Sequence, residues 1–262
     1  MTTTLTRIEA HYDSSPRASA DAEAHGPFTV FVARPESRWP YYARPRLGGG
    51  GRPVDAFDVE DLAAYQDELG VPRALEWVHD ISPTVADAAR AAGWEVDLCP
   101  LLALSHDAVV APREDLGVTM LAADDARLAL VLAAVNAGFG GVEPGPELPD
   151  VSRDRQTIEA GQTRVAGAFT GLGQAAGALG VALGGGSHFP RGTATELVGI
   201  AVIPSARRRG LGAAIAQTLA ADARAAGVET IFLSAADDAV ARVYERVGFV
   251  RVGTAGMATG PA

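Results

Sequence analysis

The stretch Arg207-Arg208-Arg209-Gly210-Leu211-Gly212 decides how this sequence is read. It follows an apolar run, Thr195 to Ile203, that ends at Pro204, and it opens an Ala-rich run from Gly210 to Ala225 with apolar residues at helical spacing. Strand, glycine loop and helix therefore come in that order. The first N–H groups of a helix have no partner within it, and with the helix dipole they favour an anion. Glycine at 210 and 212 lets a phosphate approach backbone that a side chain would cover. Three arginines beside the positive end of a helix dipole are locally unfavourable, because acidic residues are what stabilise that end. A local preference broken in this way points to a polyanion that all these groups face. The plainer alternative is an exposed helix start with solvated arginines.

Working outward, Glu229 to Ser234 is predicted as a strand, Asp238 to Arg246 as a helix and Phe249 to Val252 as a closing strand. Upstream, Val118 to Leu121 is a strand candidate, and Asp124 to Asn136 an apolar helix capped by its Asp pair. Gly138 to Pro149 is dense in Gly and Pro and predicts an irregular loop. Val151 to Ala160 predicts a helix with Arg153, Asp154 and Arg155 on a solvated face. Arg164 to Thr170 and Ala175 to Leu183 suit a hairpin, and a Gly-rich turn holding His188 leads into the strand from Thr195.

The N-terminal part reads as a helix at Leu5 to Tyr12, strands at Phe28 to Ala33 and Tyr41 to Ala43, and a helix at Asp58 to Leu69 stopped by Gly70. Strand Ala74 to Val78, helix Pro83 to Ala92 and strand Trp94 to Leu98 follow. Ser105 to Arg113 carries His, Asp, Pro and Arg between apolar runs, so the expected domains are 1–106 and 114–262. The segment from Leu75 to Gly93-Trp94 matches Ile231 to Gly248-Phe249 in pattern, strand, short helix, Gly-aromatic, strand, which suggests two copies of one α/β unit. Gly48 to Gly51 reads as a flexible turn, and Trp39 to Pro45 as an aromatic core strand, with a substrate-facing stretch as the other reading.

The loop lacks Gly-x-x-x-x-Gly-Lys-Ser/Thr and Gly-x-Gly-x-x-Gly, so it is neither a Walker nor a dinucleotide loop. It resembles the GNAT superfamily of N-acetyltransferases, whose signature is Arg/Gln-x-x-Gly-x-Gly/Ala after a Val-x-Pro strand end. Arg207, Gly210 and Gly212 fill that signature, Val202 and Pro204 the strand end, and the resemblance runs from Val118 to Val252. It implies an α/β (α+β) fold with a mixed, mostly antiparallel twisted sheet flanked by helices, preceded here by a degenerate half-copy as in tandem GNAT proteins. It also implies acetyl-CoA as co-substrate. The CoA pyrophosphate would lie on Arg207, Arg208, Arg209, Gly210, Leu211, Gly212 and Ala213, with the pantetheine arm along Ala201, Val202 and Ile203 as an added strand.

By the same resemblance Glu196, six residues ahead of Val202, stands where many members carry a general base; a solvated charge at a strand start is the other reading. Tyr244 stands where a tyrosine commonly protonates the CoA sulfur, against a packing role on a short amphipathic helix. The corresponding position in the N-terminal copy is Ala89, which assigns activity to the C-terminal copy alone. The Val202 N–H is the expected oxyanion donor. Asp237 and Asp238 depart from the superfamily, which often has Asn there; an aspartate cannot donate a side-chain N–H to pantetheine, and Asp238 is read as a helix cap.

The resulting expectation is an acyl-CoA-dependent N-acyltransferase acting on a small-molecule or peptide amine by direct attack in a ternary complex. A non-catalytic acyl-CoA-binding regulatory module stays open beside it, as does a tandem enzyme resembling mycothiol synthase. The net charge of −10 argues against nucleic acid as partner and mildly favours a cationic acceptor. His11, His25, His79, His106 and His188 show no metal spacing, and with one cysteine no zinc site or internal disulfide is expected. Cys99 is read as a small buried residue. The uncharged stretch Val165 to Pro190 exceeds the ~20 residues of a membrane span but is too rich in Gly. With no secretory signal at the N-terminus, a cytoplasmic location is expected, and a homodimer is open because closing strands of such folds often pair.

Overall fold

The computed structural model describes residues 3–35, 37, 41–47, 52–170 and 180–261. The chain divides into two compact units, one of Met1–Leu102, Ser234–Asp238 and Arg251–Ala262, the other of Ala103–Leu233 and Ala239–Val250.

The first unit holds α1 (Thr4–Ser14), β1 (Ala20–His25), β2 (Phe28–Ala33), β3 (Arg44–Pro45), α2 (Ala56–Leu69), β4 (Ala74–Val78), α3 (Thr84–Ala91) and most of β5 (Glu95–Leu104). β1, β2 and β3 form an antiparallel sheet. α2 starts on a reciprocal cap between Asp55 and Asp58 and stops at Gly70, which takes the left-handed conformation. Phe28, Leu62, Leu75, Trp77, Val85 and Trp94 meet in one buried cluster. The strand expected at Tyr41 to Ala43 is reduced to a single bridge, Ala43 to Leu75, because the paired residues are Arg44 and Pro45. Cys99 is half-buried, on a stretch of β5 where Asp97 and Leu98 face solvent. Gly48 to Gly51 and Trp39 lie outside the described residues.

The second unit holds β6 (Val118–Leu121), α4 (Leu128–Gly140), α5 (Ser152–Glu159), β7 (Arg164–Thr170), β8 (Val181–Arg191), β9 (Ala194–Val202), α6 (Leu211–Ala225), β10 (Thr230–Ser234) and α7 (Asp238–Glu245), with the start of β11 (Phe249–Thr259). Most of α7 and nearly all of β10 belong here, while β11 continues in the first unit as an antiparallel partner of β4. The sheet order is β6-β7-β8-β9-β10, antiparallel except for the parallel pair β9 and β10. The repeat seen in sequence is present as structure: β4, α3 and β5 follow the same order as β10, α7 and β11.

Three expectations fail here for physical reasons. Gly184 to His188 is not a turn but the middle of β8. A Cβ on Gly185 would meet Val131 of α4 at 2.4 Å, and one on Gly186 would meet Ile215 of α6 at 3.1 Å. Successive strand residues face opposite sides, so these glycines let α4 and α6 approach the sheet closely on its two faces. The helix expected from Asp124 begins at Leu128, and neither Asp caps it: the Asp125 carboxylate accepts from the Arg127 N–H at 2.8 Å and pairs with its guanidinium. Arg155 is half-buried rather than solvated, donating to the Ala123 and Asp125 carbonyls. The strand expected from Ala175 lies outside the described residues up to 179, and the observed one begins at Val181. Among the described residues no helix is long and apolar enough to cross a membrane.

Candidate active site

The site begins with a bend in β9. Gly185 faces Ala201 and Ser187 faces Val198, so β8 has one residue, Gly186, where β9 has two, Gly199 and Ile200. Gly199 takes φ +63, the left-handed conformation that such a bulge needs and that glycine adopts without steric cost. β9 and β10 then separate. Their parallel register runs from Ala194 and Thr230 to Glu196 and Phe232 and ends there, although β9 continues to Val202. The Ile203 N–H donates to the Leu183 carbonyl at 3.0 Å, which turns it toward β8. Hydrogen-bonding edges alternate along an antiparallel strand, so the Val202 N–H points to the opposite edge, the one β10 has left.

Beyond β9 the chain makes a single turn at Pro204–Ala206 and enters the arginine loop. Arg208 has φ +61, the positive-φ residue other than glycine among the described residues, and Gly210 has φ +80. A side chain in this region costs on the order of 1 kcal/mol, and such strain collects at binding loops. α6 starts on Gly210 with no side-chain cap, so its first N–H groups are left to another partner. A Cβ added at Gly212 would meet no protein atom within 4 Å. Packing therefore gives no reason for glycine in the first turn of α6, where alanine is the better helix former. Open space at Gly212 and uncapped first N–H groups on α6 are together what a pyrophosphate group would need.

The Arg207 side chain turns away from that space, donating to the Gly138 carbonyl at 2.7 Å and to the Val202 carbonyl at 3.2 Å. The Arg208 and Arg209 side chains are exposed. Gly138 lies so close to β9 that a Cβ there would sit 3.1 Å from the Val202 oxygen. The Glu143 carboxylate accepts from the Ser205 N–H at 2.8 Å and from its hydroxyl at 3.1 Å. Two contacts thus tie the segment after α4 to the loop after β9.

Glu196 is half-buried at the last paired position before the strands part. Tyr244 is buried on α7 and meets the Phe249 ring edge-on at 6.2 Å. Burial pushes its phenol up to about 12, so it stays neutral across any working pH. Asp238 accepts from Arg251 at 2.7 Å.

One polar cluster escapes a reading by sequence. His188 on β8 stands between the Thr195 hydroxyl and the Asp222 carboxylate, each at 3.0 Å, and Arg164 pairs with the same carboxylate through two nitrogens. Burial raises the Asp222 carboxyl, yet hydrogen bonds from His188 and Arg164, with their charges, hold it well below the ordinary carboxylate range. Hydroxyl, imidazole and carboxylate in a row have the form of a nucleophile relay, but Thr195 and His188 are sealed from solvent. A substrate cannot reach them. Their work is to fasten α6 to β7, β8 and β9.

The model of the acetyltransferase (GNAT) family matches residues 122–249. Residues 122–249 match as a GNAT acetyltransferase domain. The GNAT fold extends over nearly the whole chain in its similarity to a GCN5-related N-acetyltransferase from Kribbella flavida, with TM-score 0.71 and 22% identity over 98% of this chain and 96% of that one. A GNAT-family structure from Novosphingobium aromaticivorans matches with TM-score 0.59 and 18% identity over 99% and 100%. A tandem GNAT protein from the clavulanic acid biosynthesis pathway matches with TM-score 0.51 and 15% identity over 90% and 79%. At these identities the likeness is one of fold. No curated protein matches the sequence. The GNAT family and fold support acyl transfer as the general class of chemistry.

Proposed function

We propose that the second unit transfers an acetyl group from acetyl-CoA to a primary amine by direct attack in a ternary complex. The observation that carries this is the parting of β9 and β10 after Glu196 and Phe232, with β9 then leading through one turn into the uncapped start of α6. Acetyl-CoA supplies an acyl thioester. The backbone of Arg208 to Ala213 holds its pyrophosphate, and Ala201 to Ile203 hold its pantetheine arm through the open edge of β9. The Val202 N–H, aimed into the gap, donates to the thioester oxygen as negative charge gathers there. Glu196 takes the proton that the ammonium must lose before its nitrogen can attack. The C–N bond then forms, the nitrogen gives up its second proton to solvent as the tetrahedral adduct collapses, the C–S bond breaks, and its electron pair leaves on sulfur.

Tyr244 faces that sulfur in this reading. A phenol near 12 holds its proton more tightly than an ordinary thiol, whose pKa is ~8.5. Its contribution is therefore a hydrogen bond to the thiolate, and the thiolate takes its proton later from solvent. Release of CoA on mixing acetyl-CoA with an amine panel, with the acetylated amine identified by mass, tests the proposal. Tight acetyl-CoA binding with no transfer to any amine would favour the regulatory-module reading instead.

A further inference from the structure

From the end of α4 to the start of α5 the chain shows a surface that packing does not explain. Phe139 is 68% exposed, Val142 58% and Leu148 52%, three large apolar side chains within ten residues. Between Gly138 and Val151 there is no basic residue, while Glu143, Glu147 and Asp150 supply three carboxylates. Apolar and acidic side chains are interleaved along one segment. That segment is also held in place. Arg207 fixes its beginning through the Gly138 carbonyl, and Glu143 fixes its middle through Ser205. Its first apolar residue, Phe139, adjoins Gly138, whose Cα lies against the Val202 carbonyl. The segment that carries these side chains therefore starts against the end of β9.

Resting on the proposed acyl transfer, we infer that this segment selects the acceptor, and that the acceptor is an amphipathic amine with a cationic head and an aryl or alkyl body. The carboxylates attract the ammonium, and Glu147, exposed and with no ion pair among the described residues, has its charge available for this. The apolar side chains cover the body of the same molecule, which removes their surface from water. An amine bearing hydroxyls in place of the apolar body would have to strip its hydration against Phe139, Val142 and Leu148 without gaining partners, and is disfavoured. Charge alone would admit any cation; the interleaving with apolar surface is what narrows the class.

The test compares 2-phenylethylamine and hexylamine with glucosamine as acceptors for the full chain, alongside its Phe139→Ser variant. Acetyl-CoA affinity is measured separately by calorimetry, and association by sedimentation. Phe139 is exposed, so serine there leaves folding intact. The expected result is preference for the two apolar amines and a KM for 2-phenylethylamine about tenfold higher in Phe139→Ser, with acetyl-CoA affinity unchanged. Equal or better turnover of glucosamine would overturn the inference, as would an unchanged KM in the variant. A wild-type dimer that Phe139→Ser dissociates would also overturn it, showing that a second copy covers the patch. Failure to bind acetyl-CoA would be seen in the calorimetry alone and would remove the underlying reading as well.

Discussion

The Arg207 guanidinium donates to the Gly138 carbonyl at 2.7 Å, closing the C-terminal end of α4 onto the loop that leads to α6. The same side chain reaches the Val202 carbonyl, so one residue joins the proposed acceptor segment, the open strand edge and the anion loop. Its charge satisfies two backbone oxygens, which leaves the neighbouring arginines as the cations available to a phosphate.

This separates the three arginines by role. Arg207→Gln should lower stability by about 1 kcal/mol and kcat/KM for the amine by about tenfold, with the acetyl-CoA Kd changing by no more than about threefold. Arg208→Ala with Arg209→Ala should do the reverse, weakening acetyl-CoA most at low salt. Thermal melts, calorimetry and steady-state kinetics on both variants distinguish the two patterns.

Gly212→Leu should separate binding from folding. Leucine is a better helix former than glycine by ~0.8 kcal/mol, and a Cβ at this position meets open space, so the melting temperature should hold or rise. The leucine side chain fills that space, and acetyl-CoA affinity should fall by about a hundredfold or more. A variant that melts early and binds normally would show that Gly212 serves packing.

Tyr244→Phe should reduce kcat with little change in acetyl-CoA Kd. The buried phenol also predicts a pH effect. Its folded pKa, about 12, lies above the ordinary tyrosine value, so its contribution to stability is complete below pH ~10 and is lost as pH rises toward 12. The loss amounts to about 2–3 kcal/mol. Alkaline unfolding of Tyr244→Phe should lack it.

Asp222→Asn should cost about 1–2 kcal/mol, because the amide keeps one acceptor oxygen but loses the charge and sets an NH2 group where His188 or Arg164 donates. The Asp222 carboxyl is lowered in the folded state, so its stabilisation is present above the ordinary carboxylate pKa and is lost as pH falls below it. Acid unfolding should therefore be less steep in the variant. Because the cluster joins α6 to the sheet away from Arg208 to Ala213, the acetyl-CoA Kd of folded Asp222→Asn should match that of the wild type.

Much of this was legible in the sequence where local chemistry dictates local form. The loop from Arg207 to Gly212 falls between β9 and α6 as its glycines and flanking patterns require, and β6, β7 and β4 match their expected limits. What stayed hidden depends on contacts across the sheet. Gly184 to Gly186 look like a turn because their strand role comes from helices packed on both faces. The link from His188 to Asp222 joins residues 34 apart and leaves no periodic trace. Arg207 belongs to the signature by position, yet only its three-dimensional partners show that its side chain serves backbone carbonyls.

In the proposed reaction the gap between β9 and β10, with the α6 loop after it, binds acetyl-CoA for transfer to an amine. The most direct measurement is calorimetric titration of acetyl-CoA into the full chain and into Gly212→Leu, followed by an assay for CoA release with 2-phenylethylamine. The expected result is saturable 1:1 binding in the wild type, its loss in a variant that melts no earlier, and amine-dependent CoA release by the wild type alone. Equal acetyl-CoA binding by both proteins would contradict it.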